Sequence, residues 1–125
     1  MEEKKILLVE DDGALSGALT AKLNSEGFFT LMAKNGEEGL DLAFDNHPDL
    51  ILLDIIMPKM DGVTMLKKLR LDTWGKDVPV IVMSNLSEAD KNIDIVDADI
   101  QAYLVKSDFP LADIVEKIKS VLHLS

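Results

Sequence analysis

The chain has no cysteine. Disulfides, thiolate nucleophiles and cysteine-based metal sites are therefore excluded. Long hydrophobic runs are missing too: no apolar stretch approaches the ~20 residues that a membrane span needs. The N-terminus, MEEKKILLVE, sets acids ahead of its apolar run and lacks the shape of a signal peptide. This composition is compatible with a cytoplasmic protein. Positive charge is scarce, with 13 Lys and Arg against 23 acids and a net charge of −10. That balance argues against sequence-independent binding to nucleic acid and against binding to an anionic membrane. No Gly/Ser/Pro-rich linker, low-complexity tract or internal repeat breaks the sequence. One domain over residues 1–125, with no output domain, is the expectation.

What is present is enough apolar material for a core, 47% of residues beside 29% charged. Apolar strand-like runs alternate with helix-periodic segments, which predicts an α/β fold with a parallel sheet covered by helices on both faces. The expected strands are Ile6–Val9, Phe28–Ala33, Leu50–Leu53, Val80–Met83 and a run within Ile100–Val105. Leu15, Leu19 and Leu23 recur at helical spacing, and Gly27 ends that helix. Asn35 and Glu38 have the spacing of a capping box. The helix they open presents Leu40, Ala43 and Phe44 and stops at His47-Pro48. Val63, Leu66 and Leu69 mark a third helix, and Ala89, Ile93 and Val96 a fourth, capped by Ser87. Leu111, Ile114, Val115, Ile118 and Leu122 line the last. Trp74 is expected to anchor the connection after the third helix. His47 and His123 belong to no constellation and read as ordinary surface residues.

The chain is organised around residues 49–62, DLILLDIIMPKMDG. Leu50–Leu53 is too short for a helix and apolar throughout, as a strand buried on both faces must be. Asp54 follows at its end. Pro58 delays the next helix, and Asp61-Gly62 turns the chain into it. Ligands of open parallel sheets bind outside the carboxyl ends of the strands, which is where Asp54 lies.

A hydrophobic strand, Asp, a short spacer, Met-Pro and Asp-Gly resembles the third strand and following loop of response-regulator receiver domains. With the alternation above, the resemblance covers essentially the whole chain. It implies a flavodoxin-like, doubly wound five-stranded sheet of order 2-1-3-4-5 with five helices. It also implies a phospho-acceptor that takes a phosphoryl group from a histidine kinase or phosphotransfer protein onto Asp54. Glu10 and Asp11 end strand one, beside Asp54 across a strand spacing of roughly 5 Å, so the carboxylates converge. A hard divalent cation relieves their repulsion, and oxygen ligands with retained waters suit Mg²⁺. By resemblance, Asp11 and Asp54 bind the metal directly, Glu10 through water, and the Ile56 carbonyl adds a ligand. Asp12 is read instead as a helix N-cap or an exposed acid.

Lys106, 22 residues after Ser84 and 52 after Asp54, would pair with Asp54 and then with phosphoryl oxygens. The Ser84 hydroxyl would bond a phosphoryl oxygen. Tyr103 is either the aromatic that swings inward with Ser84 or a partly buried tyrosine with a satisfied hydroxyl. Signalling would run through a changed surface near the last two helices and strand five, read by a downstream protein. The expected state is a monomer or a phosphorylation-dependent dimer. The chain would catalyse only its own phosphorylation and slow dephosphorylation. By resemblance, Ile56 and Leu86 would flank the approach of the hydrolytic water, which they could neither orient nor relieve of a proton; the alternative is that they only close a hydrophobic rim.

Departures from the family pattern are confined to a few positions. Ser107 follows Lys106 where a proline with a preceding cis peptide is usual, so a trans peptide is expected. Asp99-Ile100 replaces the usual Gly-Ala, and Asn85 stands where a smaller residue is common. EDDGAL at 10–15 faintly resembles the D-x-D-G-T-L motif of haloacid-dehalogenase-type phosphatases, but Glu10 holds the nucleophile position and Ala14 replaces the threonine. A pseudo-receiver that binds partners without phosphorylation is the other alternative. The intact acids, Ser84 and Lys106 argue against it.

Overall fold

The computed structural model describes residues 4–54, 60–84, 100–105 and 110–124. Five parallel strands, β1 (Lys5–Val9), β2 (Phe29–Ala33), β3 (Leu50–Asp54), β4 (Val80–Ser84) and β5 (Ala102–Val105), form one sheet in the order β2-β1-β3-β4-β5. Four helices accompany it among the described residues: α1 (Gly13–Ser25), α2 (Gly36–Asn46), α3 (Gly62–Arg70) and α4 (Leu111–Val121). The helix expected from Ala89, Ile93 and Val96, with its Ser87 cap, lies outside the described residues. Among those residues no helix is long and apolar enough to cross a membrane.

Alternation along the strands divides the core in two, because successive strand side chains point to opposite faces. Leu7, Val9, Ile51, Leu53, Val80 and Val82 meet α2 and α3 through Leu40, Ala43, Met65, Leu66 and Leu69. Ile6, Leu8, Leu50, Leu52, Ile81 and Met83 meet α1 and α4 through Leu19, Leu23, Ile114, Val115 and Ile118. Leu50–Leu53 is buried on both sides without a gap. Each such leucine contributes about 1.5–3 kcal/mol of burial. Phe44 departs from expectation. The buried face of α2 is Gly36, Gly39, Leu40 and Ala43, a complete 3.6-period stripe that leaves the neighbouring Phe44 39% exposed.

Caps fix where the helices begin. Asp12 accepts from the amides of Ala14 and Leu15 through Oδ1 at 3.0 and 3.2 Å. Asp61 Oδ1 accepts from the Thr64 amide at 2.8 Å. Asn35 Oδ1 accepts from the Glu38 amide at 3.0 Å, while Glu38 reaches back to the Lys34 amide at 3.2 Å. The box is reciprocal, but Glu38 bonds one residue before the cap. At its far end α1 is tied to α4 by an ion pair between Glu26 and Lys119. The Lys119 hydrogen bond and charge hold the Glu26 carboxyl below its usual range, and Glu26 raises Lys119 above its own. The Glu26 contribution is full above the ordinary carboxylate range and lost as pH falls through the lowered pKa. That of Lys119 is full below the ordinary lysine range and lost as pH rises through the raised one.

The chain re-enters at Met60 against the start of α2. The Gly36 amide donates to the Met60 carbonyl at 2.9 Å. A Cβ on residue 36 would lie 2.5 Å from that oxygen and 2.8 Å from Met60 Cγ. Gly36→Ala must displace backbone, so it should cost about 1–3 kcal/mol and lower the melting midpoint by at least about 3 °C. Thermal unfolding followed by circular dichroism measures this. An unchanged midpoint would show that residue 60 yields freely to the methyl group.

Candidate phospho-acceptor site

Asp54 is the last residue of β3 rather than the first after it. The parallel register pairs Val9 with Leu53 and Asp54 with Met83. One step beyond Val9, Glu10 therefore comes level with Asp54. Its own amide still donates to the Ala33 carbonyl of β2 at 2.9 Å, so the backbone at Glu10 is held in the sheet. The site lies at the carboxyl ends of β1 and β3, where the order of strands reverses. Crevices form at that point in open parallel sheets.

Glu10, Asp11 and Asp54 each offer a carboxylate oxygen, all within 4.8 Å of one another. Glu10 and Asp54 are buried, at 2% and 4% exposure, and Asp11 is exposed. Glu10 Oε2 accepts from the Asp12 amide at 3.0 Å. Asp12 therefore acts twice: its side chain caps α1 and its backbone holds Glu10. The capping role is legible in the sequence; the hold on Glu10 has no sequence signal beyond Asp-Asp-Gly at a helix start. Capping consumes Asp12 and leaves Asp11 to the cluster. It also sets the positive end of the α1 dipole beside the acids.

Three oxygen donors with an exposed edge fit a hard divalent cation that keeps some of its waters. Softer or cysteine-seeking metals gain nothing from this donor set. The arrangement also disfavours the phosphatase motif at 10–15, because the second acid of that motif, Asp12, is occupied at the helix start.

Ser84 closes β4, the strand beside β3, and its Cα pairs with Val105. The Cα of Tyr103 pairs with Val82 in β5. The roles expected of the Ser84 and Tyr103 side chains lie outside what is described. Lys106, Ile56, Asn85, Leu86, Asp99 and the Lys106-Ser107 peptide likewise lie outside the described residues. The structure thus brings Glu10, Asp11 and Asp54 together and places the backbones of Ser84 and Tyr103 on the two neighbouring strands.

Comparison with known proteins agrees with this geometry. A family model described as the response regulator receiver domain matches residues 6–119. The transcriptional regulatory protein PrrA of Mycobacterium tuberculosis is 39% identical over 118 residues, 94% of this chain and 49% of its own. The response regulator MprA of a Mycobacterium species is 32% identical over 118 residues, 94% of this chain and 50% of its own. The chain thus spans about half the length of these curated relatives. Among solved structures, a CheY-like response regulator receiver domain protein from Methanospirillum hungatei superposes with a TM-score of 0.89 at 28% identity, covering 98% of this chain and 95% of that one. The receiver domain of the sensor histidine kinase PA1611 from Pseudomonas aeruginosa, solved with a magnesium ion coordinated in its active site cleft, gives 0.86 at 25% identity, covering 95% and 97%. With its acids gathered at the β1–β3 switch point and this match along nearly its whole length, the chain belongs to the response regulator receiver domain family.

Proposed function

We propose that the chain is a phospho-acceptor response regulator in which Asp54 receives a phosphoryl group from a histidine kinase or phosphotransfer protein. One observation carries this reading. Asp54 is a carboxylate only 4% exposed at the end of the central strand, with oxygens of Glu10 and Asp11 within 4.8 Å. A carboxylate oxygen of Asp54 attacks phosphorus while the donor's nitrogen–phosphorus bond breaks and nitrogen keeps the electron pair. The product is an acyl phosphate.

Asp11, Asp54 and, through water, Glu10 would hold Mg²⁺, together with the Ile56 carbonyl. When bound, the ion supplies positive charge against the oxygens of the transferring group. The neighbour solved with magnesium in its cleft supports that assignment. The Asp12 amide keeps Glu10 in place, and the rigid end of β3 holds Asp54 at one position, so orientation is prepared before the donor arrives. Lys106, directly after β5, supplies a second positive charge, and Ser84 a hydroxyl for a phosphoryl oxygen. No separate substrate is turned over. The output is a changed surface near β5 and α4, with Tyr103 as its internal reporter, read by a downstream protein from a monomer or a phosphorylation-dependent dimer.

Incubation with Mg²⁺ and acetyl phosphate should add one phosphoryl group, read by intact mass, and Asp54→Asn should abolish it. Equal labelling of that variant would remove Asp54 from the reaction.

Mg²⁺ titration should perturb the amide resonances of Asp11 and Asp54. Asp11→Ala should weaken binding by about tenfold or more, the change expected from roughly 1.4 kcal/mol. Unaltered affinity would place the cation elsewhere.

The phosphorylated state should also be long-lived, because Ile56 and Leu86 cannot orient a water for in-line attack. Ile56→Asn combined with Leu86→Glu should shorten its lifetime several-fold after donor removal, followed by loss of the added mass. If the double variant decays at the parent rate, these two positions do not govern the water.

A further inference from the structure

At the opposite, amino-terminal end of the sheet the chain builds a second concave feature. An open cleft of about 380 Å³ lies between the turn after α2 and the connection from α3 to β4. Trp74, Pro48 and Pro79 give it apolar walls, and His47, Asp49 and Asp77 give it polar ones. The His47 imidazole stacks on the Trp74 indole, with ring centroids 4.3 Å apart and planes 8° from parallel. His47 was expected to be an ordinary surface side chain. It is exposed, as expected, but it also closes α2 in the left-handed region, at φ 46°, where a non-glycine residue is uncommon.

The loop that presents Trp74 is fixed from several sides. Asp72 Oδ2 accepts from the amides of both Trp74 and Gly75 at 2.9 Å. Arg70 Nη1 donates to the carbonyls of Gly75 and Val78 at 2.7 and 2.8 Å. The aromatic pair is therefore placed in advance, and nothing in the phosphoryl chemistry uses it.

The lining side chains that carry a fixed charge, Asp49 and Asp77, are both acidic. Among the described residues Asp49 Oδ2 accepts only from a neutral partner, the Lys5 amide, at 2.8 Å, while the Lys5 ammonium is directed to the Asn46 carbonyl. Asp77 has no side-chain partner among the described residues. The carboxyl end of α2 adds the negative pole of its dipole. Rigid aromatic faces beside two carboxylates that have no cationic partner among the described residues match a planar cation, which can stack on a ring and bond carboxylates through several N–H groups at once.

We propose that this cleft is a binding site for a guanidinium group. The site is separate from the phospho-acceptor site, and its ligand is either a free guanidinium compound or an arginine side chain on a protein partner.

Trp74 is the only tryptophan in the chain, so its emission reports the cleft directly. The unphosphorylated protein is titrated with methylguanidinium chloride, with an acetylated and amidated Gly-Arg-Gly peptide, and with sodium chloride at matched ionic strength. Both guanidinium probes should give a saturating change in emission, and sodium chloride none. Among the described residues the exposed carboxylate of Asp77 makes no bond, so Asp77→Asn should leave the melting curve unchanged. It should weaken the response by roughly threefold or more, within the range of a lost charge contact. His47→Gly suits the left-handed backbone; it should keep the fold and also weaken the response. A peptide that binds at least roughly tenfold more tightly than methylguanidinium, about 1.4 kcal/mol, assigns the site to a protein partner. Equal binding assigns it to a free compound. A linear response, one matched by sodium chloride, or one unchanged in folded Asp77→Asn overturns the proposal.

Discussion

Carboxylates crowded at the carboxyl end of the sheet are the constraint on which the rest of this molecule depends. Glu10 and Asp54 have almost no contact with bulk solvent, and with Asp11 their oxygens lie within 4.8 Å of one another. Burial of charge is costly unless it is compensated. Compensation here begins with backbone: the Asp12 amide on Glu10 and the positive end of α1 directly behind it. That in turn requires the passage from the end of β1 to the start of α1 to take only three residues, Glu10 to Asp12. The Asp12 cap makes so short a passage possible.

The cluster also explains why strand register carries function. Val9 pairs with Leu53, so Glu10 comes level with Asp54. A slip of one residue would turn Asp54 to the other face of the sheet and put a leucine beside Glu10. The fully apolar runs in β1 and β3 prevent this only in combination with the helices. Each strand offers distinct side chains to two differently shaped cores. Packing on both faces thus sets the geometry of three acids at the ends of β1 and β3.

Much of this was legible in the sequence because each device has a short-range signature. Buried strands announce themselves as apolar runs, caps as Asp or Asn before a periodic segment, and Asp54 as an acid that interrupts an apolar strand at its end. The alternation of elements gave the layered class, while the strand order came through family resemblance. Less was legible where the cause is three-dimensional. Phe44 falls close to the α2 stripe, but only the packed helix shows that Gly36, Gly39, Leu40 and Ala43 fill that face before it. Asp54 reads as the residue after β3, because hydrophobicity ends at Leu53 while the ladder extends one residue further. His47 looked idle because its partner, Trp74, lies on another helix's exit loop, with α3 between them.

The two ends of β3 carry different chemistry on one rigid element. Asp49, just before the strand, belongs to the aromatic cleft, and Asp54 ends it in the acidic cluster. Between them every side chain is fully buried, packed into both cores at once. Coupling between distant sites needs an element with two arrangements that each site biases. A strand paired on both sides and packed on both faces does not provide one. Occupancy of the cleft would therefore leave the geometry of Asp54 unchanged, and phosphorylation would leave the cleft intact. On the two proposed roles, the amino-terminal end of the sheet would hold a ligand at constant strength and the carboxyl-terminal end would change state.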